Sequence, residues 1–399
     1  MIFLSDGLLA IVRPPHLQPN DLPLFSTDLW KAAVKCRYVD LLKVCGSFSI
    51  VWPVILRQCD VMRQKMVNII ELAHVIDLLG RYASRSIIDK ALLSAGLDRS
   101  ILTGASGFIP YAAEAVVVES IARAINDRHL GARIGKDFDY SAYGAYSHYV
   151  LGAPNLASAL DRGGRALRLI QPGSEIVVRE TETHLVVGRD SKGLSVIGHH
   201  HLDEAALFVI GHVVRHYLGP EWLPDWVEVP DRNGNEVIEL GKIVGTSIRT
   251  GAQMPAIAIK KGDLAALNPG PPAPEQTISL GELGALMGVK PEQTMEDAMV
   301  QIFEIIFAKS LISEASVARL LAIGPRTLQR ALKAEGTSFR SVRARFIERK
   351  AKSLLSDTDK SVEEIGKALG YSEPKSFRRV FKGWTGLSPS DFRSKWGRV

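Results

Sequence analysis

Two stretches near the C-terminal end of this 399-residue chain repeat one another, and that repeat constrains the fold more than any other feature. "SVARLLAIGPRTLQRALKAEGTSF", from Ser316, aligns with "SVEEIGKALGYSEPKSFRRVFKGWTG", from Ser361. Val317 matches Ile365, Ala318 matches Gly366 and Leu321 matches Leu369, each 48 residues on. Leu328 matches Phe377, Arg330 matches Arg379, Leu332 matches Phe381 and Lys333 matches Lys382, each 49 residues on, with one residue added in the second turn. Two copies of one supersecondary unit are implied. In the second copy Phe377, Val380, Phe381 and Trp384 fall at i, i+3, i+4 and i+7, one stripe of a helix. Lys375, Arg378, Arg379 and Lys382 fall off that stripe.

Each copy reads as a short helix, a tight turn and a second helix with a basic face. The small residue at Ala318 or Gly366 lets the two helices approach closely. The turn falls at Ile323-Gly324 in one copy and at Gly370-Tyr371-Ser372 in the other. Ser372 is expected to cap the second helix, with Glu373 suiting its positive end. Pro325 and Pro374 are tolerated there because first-turn N–H groups have no helical acceptor. This is the helix-turn-helix pattern, whose second helix enters the major groove of DNA. A surface helix with solvated charges would account for one copy. Cations at matched places in two copies point instead to a polyanion.

Between the copies, "SFRSVRARFIERKAKSLLS" has Val342, Phe346, Leu354 and Leu355 on one side. Arg340, Arg343, Arg345, Arg349, Lys350 and Lys352 cover the rest. It reads as a rigid connecting helix that sets the two reading helices about one DNA turn, roughly 34 Å, apart.

The charge distribution agrees. Residues 295–399 hold 20 Lys and Arg against 12 Asp and Glu, while residues 1–294 hold 29 against 31. The formal charge of +6 therefore lies wholly in the last quarter, which points to a polyanionic partner at that end. The cysteines Cys36, Cys45 and Cys59 are odd in number and match no metal spacing, so reduced thiols in a cytoplasmic protein are expected. The greasy run Leu41 to Leu56 is 16 residues long and is interrupted by Lys43 and Pro53, too short for a membrane span.

Residues 1–65 show no steady periodicity and form a poorly defined N-terminal extension. Most of it is expected to lie outside the folded protein, with Met62 or Met66 as the true start of translation. Residues 66–267 read as a mixed α/β domain with antiparallel strands. Helices are expected at "VNIIELAHVIDLLGRYA", "IIDKALLSAGLD", "AAEAVVVESIARAI", "LASALDRGGRALRLI" and "LDEAALFVIGHVVRHYLG". Strands are expected at "SEIVVRETETHLVVGRD", "GLSVIGH", "DWVEVP" and "VIELGKIVG". Residues 268–278, "NPGPPAPEQT" and the next position, are a Pro-rich linker that no regular element crosses. Residues 279–399 read as all-α, with a core at 295–395.

At "IGKALGYSEPKSFRRVFKGWTGLSPSDFR" the chain resembles the DNA-binding domain of AraC/XylS-family bacterial transcription regulators. The Gly-aromatic-Ser turn, the Phe…Arg-Val-Phe-Lys helix and the closing Gly-x-Ser-Pro-x-x-Phe-Arg carry the likeness. Gly366 stands where the family usually has Ala, which implies a slightly less stable helix. More weakly, "LLSAGLDRSIL", "GAYSHYVLGAPNLASALDRGGRALRLI" and the run through "HYLGPEW" resemble the arabinose-binding type of regulatory domain of one AraC subgroup. That likeness implies a domain that senses an effector or dimerises. No sugar-binding constellation is visible in it.

Other clusters invite chemistry. "HHH", His199 to His201, with His212 and His216 four apart on a helix, suggests a metal, but the Glu of HExxH and any Cys partner are missing. An ordinary loop and a partly exposed helix face are expected there. "YSAYGAYSHY", Tyr140 to Tyr149, suits a pocket lined by aromatics, though helix packing explains it as well. "DRGGR" and "TGASG" lack the flanks of a phosphate loop. No catalytic motif is present, and no enzyme activity, cofactor or metal is expected.

The resulting expectation is a sequence-specific transcription regulator, bacterial and cytoplasmic, that binds double-stranded promoter DNA as a homodimer. A small-molecule effector is expected at the first domain, and RNA polymerase as a partner if the protein is an activator. The alternative is a ligand-independent DNA-binding protein whose first domain only dimerises. Arg326, Gln329, Lys375 and Arg378 are expected at base edges; Arg330, Lys333, Arg379 and Lys382 at phosphates. Thr327 and Ser376 share the same face. Arg330 and Arg379 have a structural alternative, pairing with acids inside each unit.

Overall fold

A computed structural model describes residues 65–97, 99–102, 107–190, 194, 196–230, 234–270, 278–289, 294–307 and 312–397, with the backbone of 2–5 and 8–11. Met1–Asp60 and Val61–Val399 are two compact units. In the first, β1 (Ile2–Ser5) and β2 (Leu8–Ile11) form an antiparallel pair with Ile2 opposite Ile11. The rest of the N-terminal extension, including the three cysteines and Met62, lies outside the described residues. The second unit is entered at Lys65, whose Nζ donates to the carbonyls of Gly173 (2.9 Å) and Asp190 (3.2 Å).

The α/β part begins with β3 (Met66–Asn68), paired antiparallel with β4 (Phe108–Pro110). Between them lie α1 (Ile69–Leu79) and α2 (Arg85–Ser94), each started by a side-chain cap, Asn68 and Ser84. After β4 come α3 (Tyr111–Ile125), α4 (Leu130–Asp137), α5 (Ala145–Leu151) and α6 (Leu156–Ala166). A five-stranded sheet follows: β5 (Glu175–Glu180), β6 (His184–Asp190), β7 (Trp226–Glu228), β8 (Ser247–Arg249) and β9 (Ala256–Lys260), in the order β5-β6-β9-β7-β8. Its pairings are antiparallel except β7 with β8, which run parallel because α8 (Gly234–Val244) crosses between them. That helix corrects the strand expected at "VIELGKIVG": the chain buries Leu240 and Val244, four apart, rather than alternate residues. At "GLSVIGH" the described residues 196–198 form a bend and turn that lead into α7 (His199–Leu218), not a strand.

The closest helix packing joins α4 to α7. A Cβ on Gly131 would lie 2.2 Å from the His201 carbonyl oxygen, and one on Gly135 would lie 2.6 Å from Ala205 Cα. No side chain fits either place, so Gly131 and Gly135 are what let the two helix backbones touch.

Every described element past the linker is helical. α9 (Leu280–Leu286) and α10 (Met295–Phe307) lead into α11 (Glu314–Leu320), α12 (Pro325–Ala334), α13 (Phe339–Asp357), α14 (Val362–Ala368), α15 (Pro374–Thr385) and α16 (Pro389–Trp396). One apolar core runs from Met66 through Phe303 and Phe346 to Phe377 and Phe381. The helical part also meets the α/β part by a polar contact, in which Phe108 N–H donates to Gln301 Oε1 at 2.8 Å.

Candidate nucleic-acid interface and buried cavity

The two helix-turn-helix units, α11–α12 and α14–α15, are built alike. Val317, Leu321, Leu328 and Leu332 are buried in the first; Ile365, Leu369, Phe377 and Phe381 are buried in the second. Val380 and Trp384, the rest of the apolar stripe, are half-buried. Ser313 and Ser361 start the first helix of each unit with reciprocal capping boxes. Each first helix ends the same way. Ile323 N–H donates to Ala318 O at 3.0 Å, and Tyr371 N–H donates to Gly366 O at 2.9 Å. The residue before, Ala322 or Gly370, is left-handed at φ 52° or 85°. The first turn therefore breaks at Ala322, one residue ahead of the expected Ile323-Gly324.

The second helices start with Pro325 and Pro374 in their first turn, and neither has a side-chain cap. Glu373 holds the capping position of α15, so Ser372 does not cap it; a proline entry leaves one fewer N–H to satisfy. Gly366 faces Phe377, where a Cβ would lie 3.3 Å from Phe377 Cβ, so the small residue is what admits the ring.

Arg326, Gln329, Arg330, Lys333, Lys375, Arg378, Arg379 and Lys382 are all exposed, while Thr327 and Ser376 are half-buried. Among the described residues no acid pairs with the cations of this set. Arg330 and Arg379 thus lack the partners that a structural role inside each unit requires. Gln329 differs: its Nε2 donates to Glu314 Oε1 at 2.6 Å, tying it to α11.

The connector α13 spans 19 residues, about 28 Å at 1.5 Å per residue. Its cations divide. Arg345 pairs with Glu296 at 2.5 Å, Lys350 with Glu304 at 2.5 Å, and Lys352 with Glu348 at 2.6 Å. The first two bind the connector to α10. Arg343 Nε donates to Ile312 O at 3.2 Å. Arg340 and Arg349 stay exposed.

The α/β part encloses a cavity. Its walls are apolar, with Val118, Phe138, Tyr140, Tyr143, Tyr146 and Ile210 among them. Tyr143 stacks edge-on against Tyr140 and Tyr146, with ring centroids 5.4 Å and 5.5 Å apart. The tyrosine run thus both packs and lines a pocket. Polar groups gather at Glu71, Glu114, Gln171 and Arg189. Gln171 Nε2 donates to both Glu71 oxygens (2.8 and 3.0 Å) and to Tyr111 Oη (3.2 Å). Tyr143 Oη donates to Glu71 at 3.1 Å. Arg189 donates to Tyr111 Oη and to Leu202 O (2.8 Å), and lies 3.5 Å from Asp203. Burial pushes the Glu71 carboxyl up to about 7, against the hydrogen bonds from Gln171 and Tyr143. Burial also raises Glu114 well above the usual carboxylate range, and the nearby Glu71 raises it further. The sequence reading missed these four residues. Three of them had a signal: a lone acid inside an apolar helix stripe for Glu71 and Glu114, "VNIIEL" and "YAAEAVVV", and an arginine inside a buried strand for Arg189, "VVGRD".

The histidine run opens α7 rather than lying in a loop. Glu119, His200 and His201 bring ligand-type atoms within 4.8 Å of one another. Gly131 N–H donates to His201 Nδ1 at 3.3 Å, so the ring proton sits on Nε2 and faces Glu119 Oε2 at 3.1 Å. That tautomer has no lone pair on Nε2 to give a metal. His212 and His216 are elsewhere, bonded to Gly135 O (3.0 Å) and Asn268 Oδ1 (3.3 Å).

A mixed α/β unit joined to paired helix-turn-helix units is the architecture of a helix-turn-helix regulator. The family model for the arabinose-binding domain of AraC transcription regulators, N-terminal, matches residues 88–267, and a helix-turn-helix domain model matches 317–395. The chain belongs to the AraC family. It is 37% identical over 82 residues to the HTH-type transcriptional regulator VqsM of Pseudomonas aeruginosa, covering 21% of this chain and 25% of that one. It is 36% identical over 88 residues to the arabinose operon regulatory protein of Salmonella typhimurium, covering 22% of this chain and 31% of that one. The matched stretches thus span about a quarter to a third of those relatives. Among solved structures, the transcriptional regulator CdpR of Pseudomonas aeruginosa aligns at 22% identity and TM-score 0.32, covering 69% of this chain and 91% of that chain.

Proposed function

We propose that the protein is a DNA-binding transcription regulator that reads promoter DNA with both α12 and α15 and is tuned by a small molecule held in its α/β part. The observation that carries the reading is the matched set of exposed cations on the second helix of each unit, with no acid beside them among the described residues. Arg326, Gln329, Lys375 and Arg378 lie early in their helices, where base edges come within reach; Arg330, Lys333, Arg379 and Lys382 follow, toward phosphates. Thr327 and Ser376, half-buried, support the same face. The buried cavity with its polar end supports the effector role, and a homodimer formed through residues 66–267 supports a bipartite operator present twice. Among the described residues no helix is long and apolar enough to cross a membrane, and a cytoplasmic setting suits a promoter-binding protein. An activator among such regulators also meets RNA polymerase.

The test is an operator footprint of the full chain, with and without a metabolite library. Two protected half-sites per protomer, altered by a metabolite, support the reading. A protected footprint that no metabolite alters favours a ligand-independent regulator whose first part only dimerises. Sedimentation of a single protomer on full-length operator would count against the dimer.

A further inference from the structure

Three residues that line the cavity each carry a buried polar atom with no hydrogen-bond partner among the described residues: Gln171 Oε1, Glu114 Oε2 and Arg189 Nε. The amide nitrogen of Gln171 is already engaged by Glu71 and Tyr111, so its free oxygen can only accept. The outer nitrogens of Arg189 are engaged by Tyr111, Leu202 and Asp203, so its Nε can only donate. Both side chains converge on one atom, Tyr111 Oη. Buried polar atoms normally have partners, and these residues line a cavity that is mainly apolar, with Glu71, His201 and the tyrosine hydroxyls as its other polar groups.

We propose that this cavity takes an uncharged small molecule with a mainly apolar, ring-sized body and one hydroxyl or carboxamide head, and not a sugar. The proposal rests on the effector-sensing reading above and names the ligand class for that site. A hydroxyl donates to Gln171 Oε1 and accepts from Arg189 Nε. A carboxamide does the same and brings its oxygen toward Glu114, whose burial favours the protonated, donating form. A pentose is hydroxylated on every side, while the hydroxyls of Tyr143 and Tyr146 already donate to Glu71 and Gly163, so hydroxyls turned away from the polar end would face apolar wall. An anionic head would enter beside Glu71 and apolar walls, where the one arginine is already offset by Asp203. A cationic head would enter beside Arg189.

Thermal melting of the full chain tests this with probes that share a body and differ in head: 2-phenylethanol, phenylacetamide, phenylacetate and 2-phenylethylamine, with L-arabinose beside them. A ligand that binds the native state must raise the melting temperature. The alcohol and the amide are expected to raise it, and the two ions and the sugar to leave it unchanged. Gln171→Leu, which removes the free acceptor, is expected to weaken alcohol binding about tenfold by titration calorimetry; should that variant not fold, the wild-type series decides alone. A larger rise with phenylacetate, 2-phenylethylamine or L-arabinose overturns the ligand class and leaves effector sensing standing. No rise with any of the five also overturns the class, and effector sensing then answers to the footprint with the metabolite library.

Discussion

Ala322 and Gly370, 48 residues apart in the chain, hold the same left-handed turn position in the two helix-turn-helix units, at φ 52° and 85°. Only the second is a residue for which that conformation carries no steric penalty. For Ala the left-handed region costs about 1–2 kcal/mol, against about 0.4–1 kcal/mol of chain entropy that Gly loses on folding. Ala322→Gly should therefore stabilise the protein by about 0.5–1 kcal/mol, and Gly370→Ala should destabilise it by a similar amount. Urea midpoints of the two variants check the opposite signs.

Base reading and phosphate binding separate in a salt titration. Arg326→Ala or Arg378→Ala should cost about 1–3 kcal/mol on the cognate operator and relax preference at one base pair. Lys382→Ala should weaken cognate and scrambled duplexes alike and lower the salt slope by about one. Equal weakening of both duplexes by Arg378→Ala would place that side chain on phosphate.

Stability should depend on pH through Glu71, which is surrounded by Glu114, Tyr143, Gln171 and Arg189. Its carboxyl titrates near 7 in the folded chain, above the ordinary 4.5. A raised folded value means the native state binds the proton more tightly. The contribution is then full below about pH 4.5 and is lost as pH rises through about 7. Glu71→Gln should flatten the wild-type fall in melting temperature between those values. An unchanged slope in the variant would remove Glu71 as its source.

Gln301 supplies the acceptor for the buried Phe108 N–H. Gln301→Leu leaves that donor bare and should cost about 1–3 kcal/mol. Hydrogen exchange at Phe108 reads the loss directly: its amide should exchange faster in the variant, while amides in α15 keep their protection.

The helix-turn-helix units were legible because their signals are local: a stripe at helical spacing, a proline entry, a small residue at the crossing, all doubled. Ala322 was not, since an alanine announces no left-handed turn; the break became visible only in the hydrogen bond from Ile323 to Ala318. The cavity was half legible. Tyr140, Tyr143 and Tyr146 stood out by composition, but whether rings fill a core or line a hole depends on residues far away in sequence. Glu71 meets Gln171 and Arg189 from about a hundred residues away in the chain, and no periodicity reports such a meeting. The helix at "VIELGKIVG" was misread because Val, Ile and Leu there satisfy both alternation and a four-residue repeat. Burial of Leu240 and Val244 decides between the two.

The contact of α4 with α7 sets a rule for variation that backbone overlap alone enforces. In a saturation library of this chain, positions 131 and 135 should tolerate no residue but glycine, because the first atom of any side chain already overlaps the His201 or Ala205 backbone. Gly262 and Gly383 have nothing within 4 Å of that atom and should accept many replacements. Library depth at those four sites would report how closely the backbone is approached at each.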